Sequence, residues 1–197
     1  MLLLIILLYN LIKDSTNILL VLKIFFSFLL LVFFLVFLFS FGFVGLSIAP
    51  WVPSRRKDRE RINKLANLKA GQVFYELGCG GGGVCRHIAK KNPEAKVIGI
   101  ELSIPVFIVA KLRGLFGPKN MEIRFGNALK ADLSDGDVLF TFALTDSINK
   151  KLKPKSYKEL KSGAKVLSYV FEINDWKGKV RVDKPSDKSF SIFTYEL

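Results

Sequence analysis

The chain has 197 residues, enough for one ordinary domain and a short extension, and its 30 Lys and Arg against 17 Asp and Glu give a net charge of +13. One histidine excludes a multi-histidine metal site, and Cys79 and Cys85 are too few for zinc, so we expect reduced thiols and no metal. Residues 1–50 contain only three charged side chains. The composition therefore predicts an apolar segment, residues 1–48, joined to a basic domain, residues 49–197.

The apolar segment is long enough to cross a membrane. Residues 24–48 carry no charge, and a helix of that length extends about 37 Å against a hydrocarbon core of about 30 Å. A secretory signal peptide is the competing interpretation, but the run is too long, no basic region opens the chain and no small-residue cleavage site follows. We therefore predict a spanning helix over about residues 24–48. The poorer apolar stretch over residues 1–22 could form a second, partial segment.

The charges on either side of this run predict its orientation. Lys13 and Lys23 precede it, whereas six cations follow it closely. Cytoplasmic flanks carry the excess of Lys and Arg, so the sequence predicts a single-pass protein of the cell membrane with a cytoplasmic C-terminal domain. The six cations are Arg55, Arg56, Lys57, Arg59, Arg61 and Lys64.

The remainder alternates β-leaning and helical stretches. Ser54 is predicted to cap a helix that runs to about Asn67. Strands that alternate with helices indicate an α/β fold with a parallel sheet covered on both faces, and the tail predicts an antiparallel hairpin. The predicted strands cover residues 72–77, 96–101, 121–125, 138–143 and 165–171, and further helices are predicted near residues 83–91, 103–115 and 156–160.

A glycine-rich stretch, "FYELGCGGGGVCR" (residues 74–86), follows the first predicted strand. In doubly wound folds such a loop binds nucleotide-like cofactors. Gly78, Gly80 and Gly83 have the dinucleotide spacing, whereas Glu76 with Gly78, Gly80 and Gly82 has the acid-x-G-x-G-x-G spacing used for S-adenosylmethionine. A carboxylate would repel a pyrophosphate but attract the ammonium group of S-adenosylmethionine. The stretch favours S-adenosylmethionine, with a dinucleotide site or a plain glycine turn as alternatives.

Two further polar residues follow predicted strands. Glu101, 23 residues after Gly78, can accept hydrogen bonds from ribose hydroxyls, and Asn127 can reach an adenine edge. Only 70 residues follow Asn127, too few for the substrate domain of a dehydrogenase. The predicted cofactor-binding residues are Glu76, Gly78, Cys79, Gly80, Gly82, Glu101, Leu102, Asn127 and Ala128.

Several segments resemble one enzyme family. They are "APWVPS", "ELGCGGGG", "GIELS", "NALKADLSDGDVLF" and "KKLKPKSYKELKSGAKVLSYVFEINDWK". Residues 49–182 resemble class I methyltransferases, and more narrowly the membrane-anchored lysine methyltransferases of ATP synthase subunit c and adenine nucleotide translocase with their bacterial relatives. Gly81 and Gly83 stand where that family usually has Asp and Arg, Asn127 replaces a common Asp, and Glu172 stands where apolar residues or Pro are usual.

The resemblance implies a Rossmann-like sheet and transfer of a methyl group from S-adenosylmethionine to a protein lysine, in a partner embedded in the membrane. Thr145 and Asp146 follow the fourth predicted strand at the carboxyl edge of the sheet, and Trp51 lies in the entry loop, residues 49–54, directly after the apolar segment, so these three are the catalytic candidates. Trp51 could instead anchor the chain at the membrane interface, and Asp146 could cap a helix.

Seven lysines between residues 150 and 165 predict contact with anionic lipid or an acidic membrane partner, and the near absence of aromatic residues among them disfavours nucleic acid. The lysines are Lys150, Lys151, Lys153, Lys155, Lys158, Lys161 and Lys165.

Two other functions remain open: methylation of a lipid or quinone-like small molecule, and cofactor binding without turnover in an interaction module.

Overall fold

A computed structural model of the chain describes residues 18–38 and 54–197. The chain divides into two units, Met1–Phe39 and Ser40–Leu197. In the first, helix α1 covers Ile18–Leu38, with every side chain exposed. It is the one helix in the described ranges long and apolar enough to cross a membrane. It includes Lys23, which the sequence placed before the span, and the rest of the predicted span, residues 39–48, lies outside the described residues.

The second unit contains seven strands and five further α-helices in its described part. The strands are β1 (Val73–Leu77), β2 (Lys96–Glu101), β3 (Met121–Phe125), β4 (Val138–Thr141), β5 (Lys165–Tyr169), β6 (Val180–Asp183) and β7 (Ile192–Glu196). The helices are α2 (Arg59–Ala66), α3 (Gly83–Lys91), α4 (Ile104–Leu115), α5 (Thr145–Ser147) and α6 (Lys153–Glu159), with a 3-10 turn over Arg56–Asp58 and a π-helical turn over Ile148–Leu152. The five predicted internal strands are confirmed, with ends within two residues, and the C-terminal antiparallel hairpin is confirmed as β6 and β7.

The strands form one sheet in the order β3-β2-β1-β4-β5-β7-β6. Strands β1 to β5 pair in parallel, and β7 is antiparallel to both β5 and β6. Nearly every residue of β1, β2, β4 and β5 is buried, whereas the edge strand β3 is partly exposed and the edge strand β6 is largely exposed. This burial agrees with central strands of a sheet that helices cover on both faces.

Successive strand residues point into two separate cores, one on each face of the sheet. Phe74 packs on the face covered by α2, α3 and α4, together with Ile62, Ile88 and Ala110. Its neighbour Tyr75 packs on the opposite face, where the π-helical turn contributes Ile148. The helices α4 and α6 therefore lie on opposite faces of one sheet.

The prediction that Ser54 caps the first helix is wrong. The helix is preceded by the 3-10 turn, and no side chain caps either element. Asp58, the residue before α2, is 2% exposed and binds the Tyr169 hydroxyl at 2.6 Å and the Arg61 guanidinium at 2.8 Å. Arg61 also binds Asp183 at 2.7 Å. The start of α2 is thus fixed by contacts with β5 and β6 rather than by a local cap.

Candidate active site

The glycine-rich loop follows β1 at the point where the strand order reverses between β1 and β4. Gly78, Gly80 and Gly82 have φ values of 74°, 54° and 71°, a left-handed conformation that favours glycine. No described atom lies within 4 Å of a Cβ built on Gly78. The loop therefore leaves open space beside the carboxyl ends of the strands, where doubly wound folds bind ligands.

Glu101 ends β2 and braces this loop. It is 5% exposed, and its Oε2 accepts a hydrogen bond from the Gly80 amide at 2.8 Å. Its Oε1 accepts one from the Ser103 amide, also at 2.8 Å. Each oxygen keeps a second lone pair, so the carboxylate can hold the loop and still accept hydrogen bonds from a ligand.

Glu76, in β1, is the second buried carboxylate at the loop. It is 5% exposed, and its Oε2 accepts a hydrogen bond from the Cys85 amide at 2.8 Å. Burial raises the pKa of Glu76 to about 7, although the Cys85 contact and the charge of Arg59 oppose the rise. A cation bound beside Glu76 would favour its charged form.

Two arginine side chains occupy the space next to Gly81 and Gly83, a feature that sequence reasoning missed. A Cβ built on Gly83 would lie 2.9 Å from Cζ of Arg59, and one built on Gly81 would lie 2.7 Å from Nη1 of Arg113. Arg59 is half-buried, and its Nε is buried with no hydrogen-bond partner among the described residues. Burial lowers the pKa of Arg59, as does nearby Arg56, and Glu76 opposes this. Arg59 thus has an unused buried donor next to the loop.

The remaining predicted cofactor residues take different positions. Cys79 is buried, and its Sγ would lie 2.8 Å from a Cβ on Gly99, so its side chain packs into the core. Asn127 follows β3 and accepts the Leu129 amide at 2.9 Å through its Oδ1, which closes a local turn. Ala128 is buried and Leu102 is half-buried. The carboxyl ends of β1, β2 and β3 thus bring the predicted set to one edge of the sheet.

Two of the three catalytic candidates lie within the described residues, and both are exposed to solvent. Thr145 and Asp146 are exposed in α5, directly after β4, and the side chain of Asp146 binds Lys150 at 2.9 Å. The alternative that Asp146 caps the helix is wrong, because Leu144 precedes α5 and no side-chain cap forms. Trp51 lies outside the described residues.

An aromatic cluster lies at the carboxyl ends of β4 and β5. The Phe142 ring meets the edge of Tyr169 with centroids 5.0 Å apart and stacks on Phe171 at 6.1 Å. Phe190 adds an edge contact to Tyr169 at 5.7 Å, and Cζ of Arg55 lies 3.6 Å from the Phe190 centroid. We did not predict this cluster; the only signal is the aromatic residues at the ends of two predicted strands.

The site fits S-adenosylmethionine. The cofactor has ribose hydroxyls and an ammonium group, which suit buried carboxylates, and a carboxylate, which suits an arginine with an unused donor. A dinucleotide fits less well, because two carboxylates at the loop would repel its pyrophosphate. In the described residues, no group of three or more His, Cys, Asp or Glu side chains could hold a metal.

Comparison with known proteins agrees with this geometry. Residues 76–180 match the family described as the ANTKMT methyltransferase domain. A protein-lysine N-methyltransferase from Saccharolobus islandicus (strain REY15A) is 34% identical over 150 residues, which are 74% of this chain and 91% of that protein.

Solved structures show the same fold. An RNA methyltransferase from Salinibacter ruber in complex with S-adenosyl-L-homocysteine gives a TM-score of 0.68 at 24% identity, covering 74% of this chain and 93% of that one. A precorrin-6y C5,15-methyltransferase from Geobacter metallireducens GS-15 gives 0.60 at 12% identity, covering 76% and 94%. At these identities the likeness concerns the fold alone.

The sheet order, the loop and the two carboxylates define a class I methyltransferase that uses S-adenosylmethionine. Within that class, the chain belongs to the family of the ANTKMT methyltransferase domain.

Proposed function

We propose that this methyltransferase modifies a lysine of a protein substrate while it is attached to a membrane through α1. The observation that carries the lysine assignment is the similarity to the Saccharolobus protein-lysine N-methyltransferase, which extends over 91% of that protein. The aromatic cluster supports it, since rings attract cations and a methylated lysine stays cationic.

In this proposal, each end of the cofactor has its own residues. Glu101 accepts hydrogen bonds from the ribose, and Asn127, Leu102 and Ala128 line the adenine end. Glu76 attracts the ammonium group, and Arg59 binds the carboxylate. The cofactor supplies a methyl group on a sulfonium. The chain orients the two reactants and excludes water from them, and it forms no covalent bond with either.

The substrate amine must be neutral to accept the methyl group, although the ordinary lysine pKa is about 10.4. We assign the aromatic cluster the role of surrounding this amine, because desolvation favours its neutral form. Asp146, exposed beside the cluster's strand β4, is our candidate proton acceptor with Thr145 next to it, and Trp51 is proposed to complete the aromatic wall.

The membrane attachment rests on α1 and on the cations that follow it. Its 21 residues match the length needed to span a bilayer, and we propose a cytoplasmic catalytic domain at the cell membrane with a membrane-embedded substrate. The lysine-rich stretch gives weaker support than the sequence suggested, because five of its seven lysines bind other groups of the chain.

The experiment is methyl transfer from tritiated S-adenosylmethionine into membranes, which are then separated into protein and lipid. Label recovered as methyl-lysine after acid hydrolysis of the protein supports the proposal. Label in lipid would replace it with the small-molecule function, and cofactor binding without label would indicate a non-catalytic module. Extraction at alkaline pH tests the attachment separately, since a spanning protein stays with the membrane pellet.

The cofactor site has its own test. We expect Glu101→Ala and Gly80→Arg to abolish binding of S-adenosylhomocysteine, because the first removes the brace of the loop and the second puts a long side chain at a left-handed position. Normal calorimetric titration of either folded variant would contradict the assignment.

A further inference from the structure

Helix α4 exposes a continuous apolar face. The exposed apolar residues recur every three or four positions along the chain, which places them on one side of the helix. Leu115 is 72% exposed and Phe116, directly after the helix, is 86% exposed. The face consists of Ile104, Ile108, Val109, Leu112, Leu115 and Phe116.

The surface continues beyond the helix. Phe125, at the end of the edge strand β3, is 53% exposed, and its ring lies 5.5 Å from that of Phe107 in α4. The opposite side of α4 packs into the core through Val106 and Ala110. Contiguous apolar surface of this kind marks an interaction site, whereas scattered apolar residues do not.

The charges on α4 and on the turn that follows it are all positive. Residues 102–121 contain Lys111, Arg113 and Lys119 and no acidic residue, and all three cations are exposed, although Lys111 also donates a hydrogen bond to the Ile123 carbonyl at 3.1 Å. Glu122, the next residue along the chain, pairs with Arg124 at 2.8 Å. Apolar side chains that insert below the headgroups, flanked by cations, are the pattern of a helix in the membrane interface with anionic lipid. A two-fold contact with a second copy is less suited, because it would bring the same cations together.

We propose that the exposed face of α4 lies in the lipid interface of the membrane. This inference rests on the membrane attachment proposed above. It replaces the lysine-rich stretch as the lipid-facing surface: α6 and its lysines pack on the opposite face of the sheet from α4, so the two cannot both lie on one flat bilayer.

The position of α4 gives this contact a consequence for the site. Arg113 extends from α4 to the cofactor loop at Gly81. Contact of α4 with lipid therefore holds the glycine loop near the membrane surface, where an embedded substrate presents its lysine. Contact of α4 with lipid also limits the orientations that the catalytic unit can take relative to the membrane. This raises the effective concentration of the substrate lysine at the active site.

The test uses the full chain in vesicles that contain phosphatidylglycerol, with an environment-sensitive NBD probe on single introduced cysteines. Leu112→Cys and Ile108→Cys place the probe on α4, and Lys158→Cys places it on α6 as the matched control. Cys79 and Cys85 are buried, so the unmodified chain controls for labelling. Each labelled variant is first checked for binding of S-adenosylhomocysteine.

We expect blue-shifted emission and quenching by lipids with a doxyl group near the headgroup for both α4 probes, and neither effect at residue 158. Quenching at residue 158 alone would overturn the proposal in favour of the lysine surface. A blue shift at residue 112 without lipid quenching would show that protein covers the face, either a second copy or another part of this chain, and would also overturn it. Loss of the protein from floated vesicles would instead refute the membrane attachment.

Discussion

Arg59→Ala tests the least expected feature of the site. The guanidinium lies over Gly83, its Nε has no partner in the described residues, and the charge of Glu76 favours its cationic form. We propose that it binds the carboxylate of the cofactor. Its removal should therefore weaken only ligands that carry this carboxylate.

The size of the effect follows from the burial of Arg59. A hydrogen bond to a charged group contributes about 1.5–3 kcal/mol. Because the residue is only half-buried, solvent screens part of this, and the lower half of the range applies. We expect the Kd for S-adenosylhomocysteine to rise about 10- to 40-fold.

The assay is calorimetric titration with two ligands. S-adenosylhomocysteine has the carboxylate and the ammonium group, whereas 5′-methylthioadenosine lacks both. We expect Arg59→Ala to bind the second ligand like the unmodified protein, and Arg56→Ala, which removes an exposed cation three residues earlier, to change neither affinity. An equal loss for both ligands would show that Arg59 only supports the loop, and no loss would refute the contact.

Three further predictions concern the carboxylate, the loop and the core. Because burial raises the pKa of Glu76 to about 7, the ammonium group of S-adenosylhomocysteine should displace its proton just below pH 7, and Glu76→Gln should abolish the proton release measured in buffers of different ionisation enthalpy. Gly78→Ala and Gly163→Ala both put a side chain at a left-handed φ, of 74° and 80°, and should each cost about 1–2 kcal/mol of unfolding free energy, but only Gly78→Ala should weaken cofactor binding. Equal binding by the two variants would argue against the open space at Gly78. Tyr169→Phe leaves Asp58 without its 2.6 Å hydrogen bond and should lower the free energy of unfolding by about 1.5–3 kcal/mol in denaturant titrations. Burial opposes the charge of Asp58, but the bonds from Tyr169 and Arg61 lower its pKa, so the stabilisation is present above the ordinary pKa of 3.8 and is lost as the pH falls further. An unchanged stability near neutral pH would refute the role of this contact.

The sequence determined the elements and most of the cofactor loop, because both depend on short-range patterns. The strands are runs of β-leaning apolar residues bounded by turns, and their ends were predicted within two residues. The glycines are required by local backbone conformation, and Glu101 follows from its place at the end of β2. The cap at Ser54 failed because distant residues hold the start of α2: Tyr169 donates a hydrogen bond to Asp58, and Asp183 accepts one from Arg61.

Tertiary structure alone decided which distant side chains meet. Arg59 reaches Gly83 because α2 packs beside α3, and Phe142, Tyr169 and Phe190 meet because β4 and β5 are neighbours and the chain before β7 returns to their ends. The buried face of helix α4 could not be predicted from the sequence either. It is apolar nearly all round, so its sequence period does not reveal which face the sheet covers, and only packing leaves the row from Ile104 to Leu115 exposed.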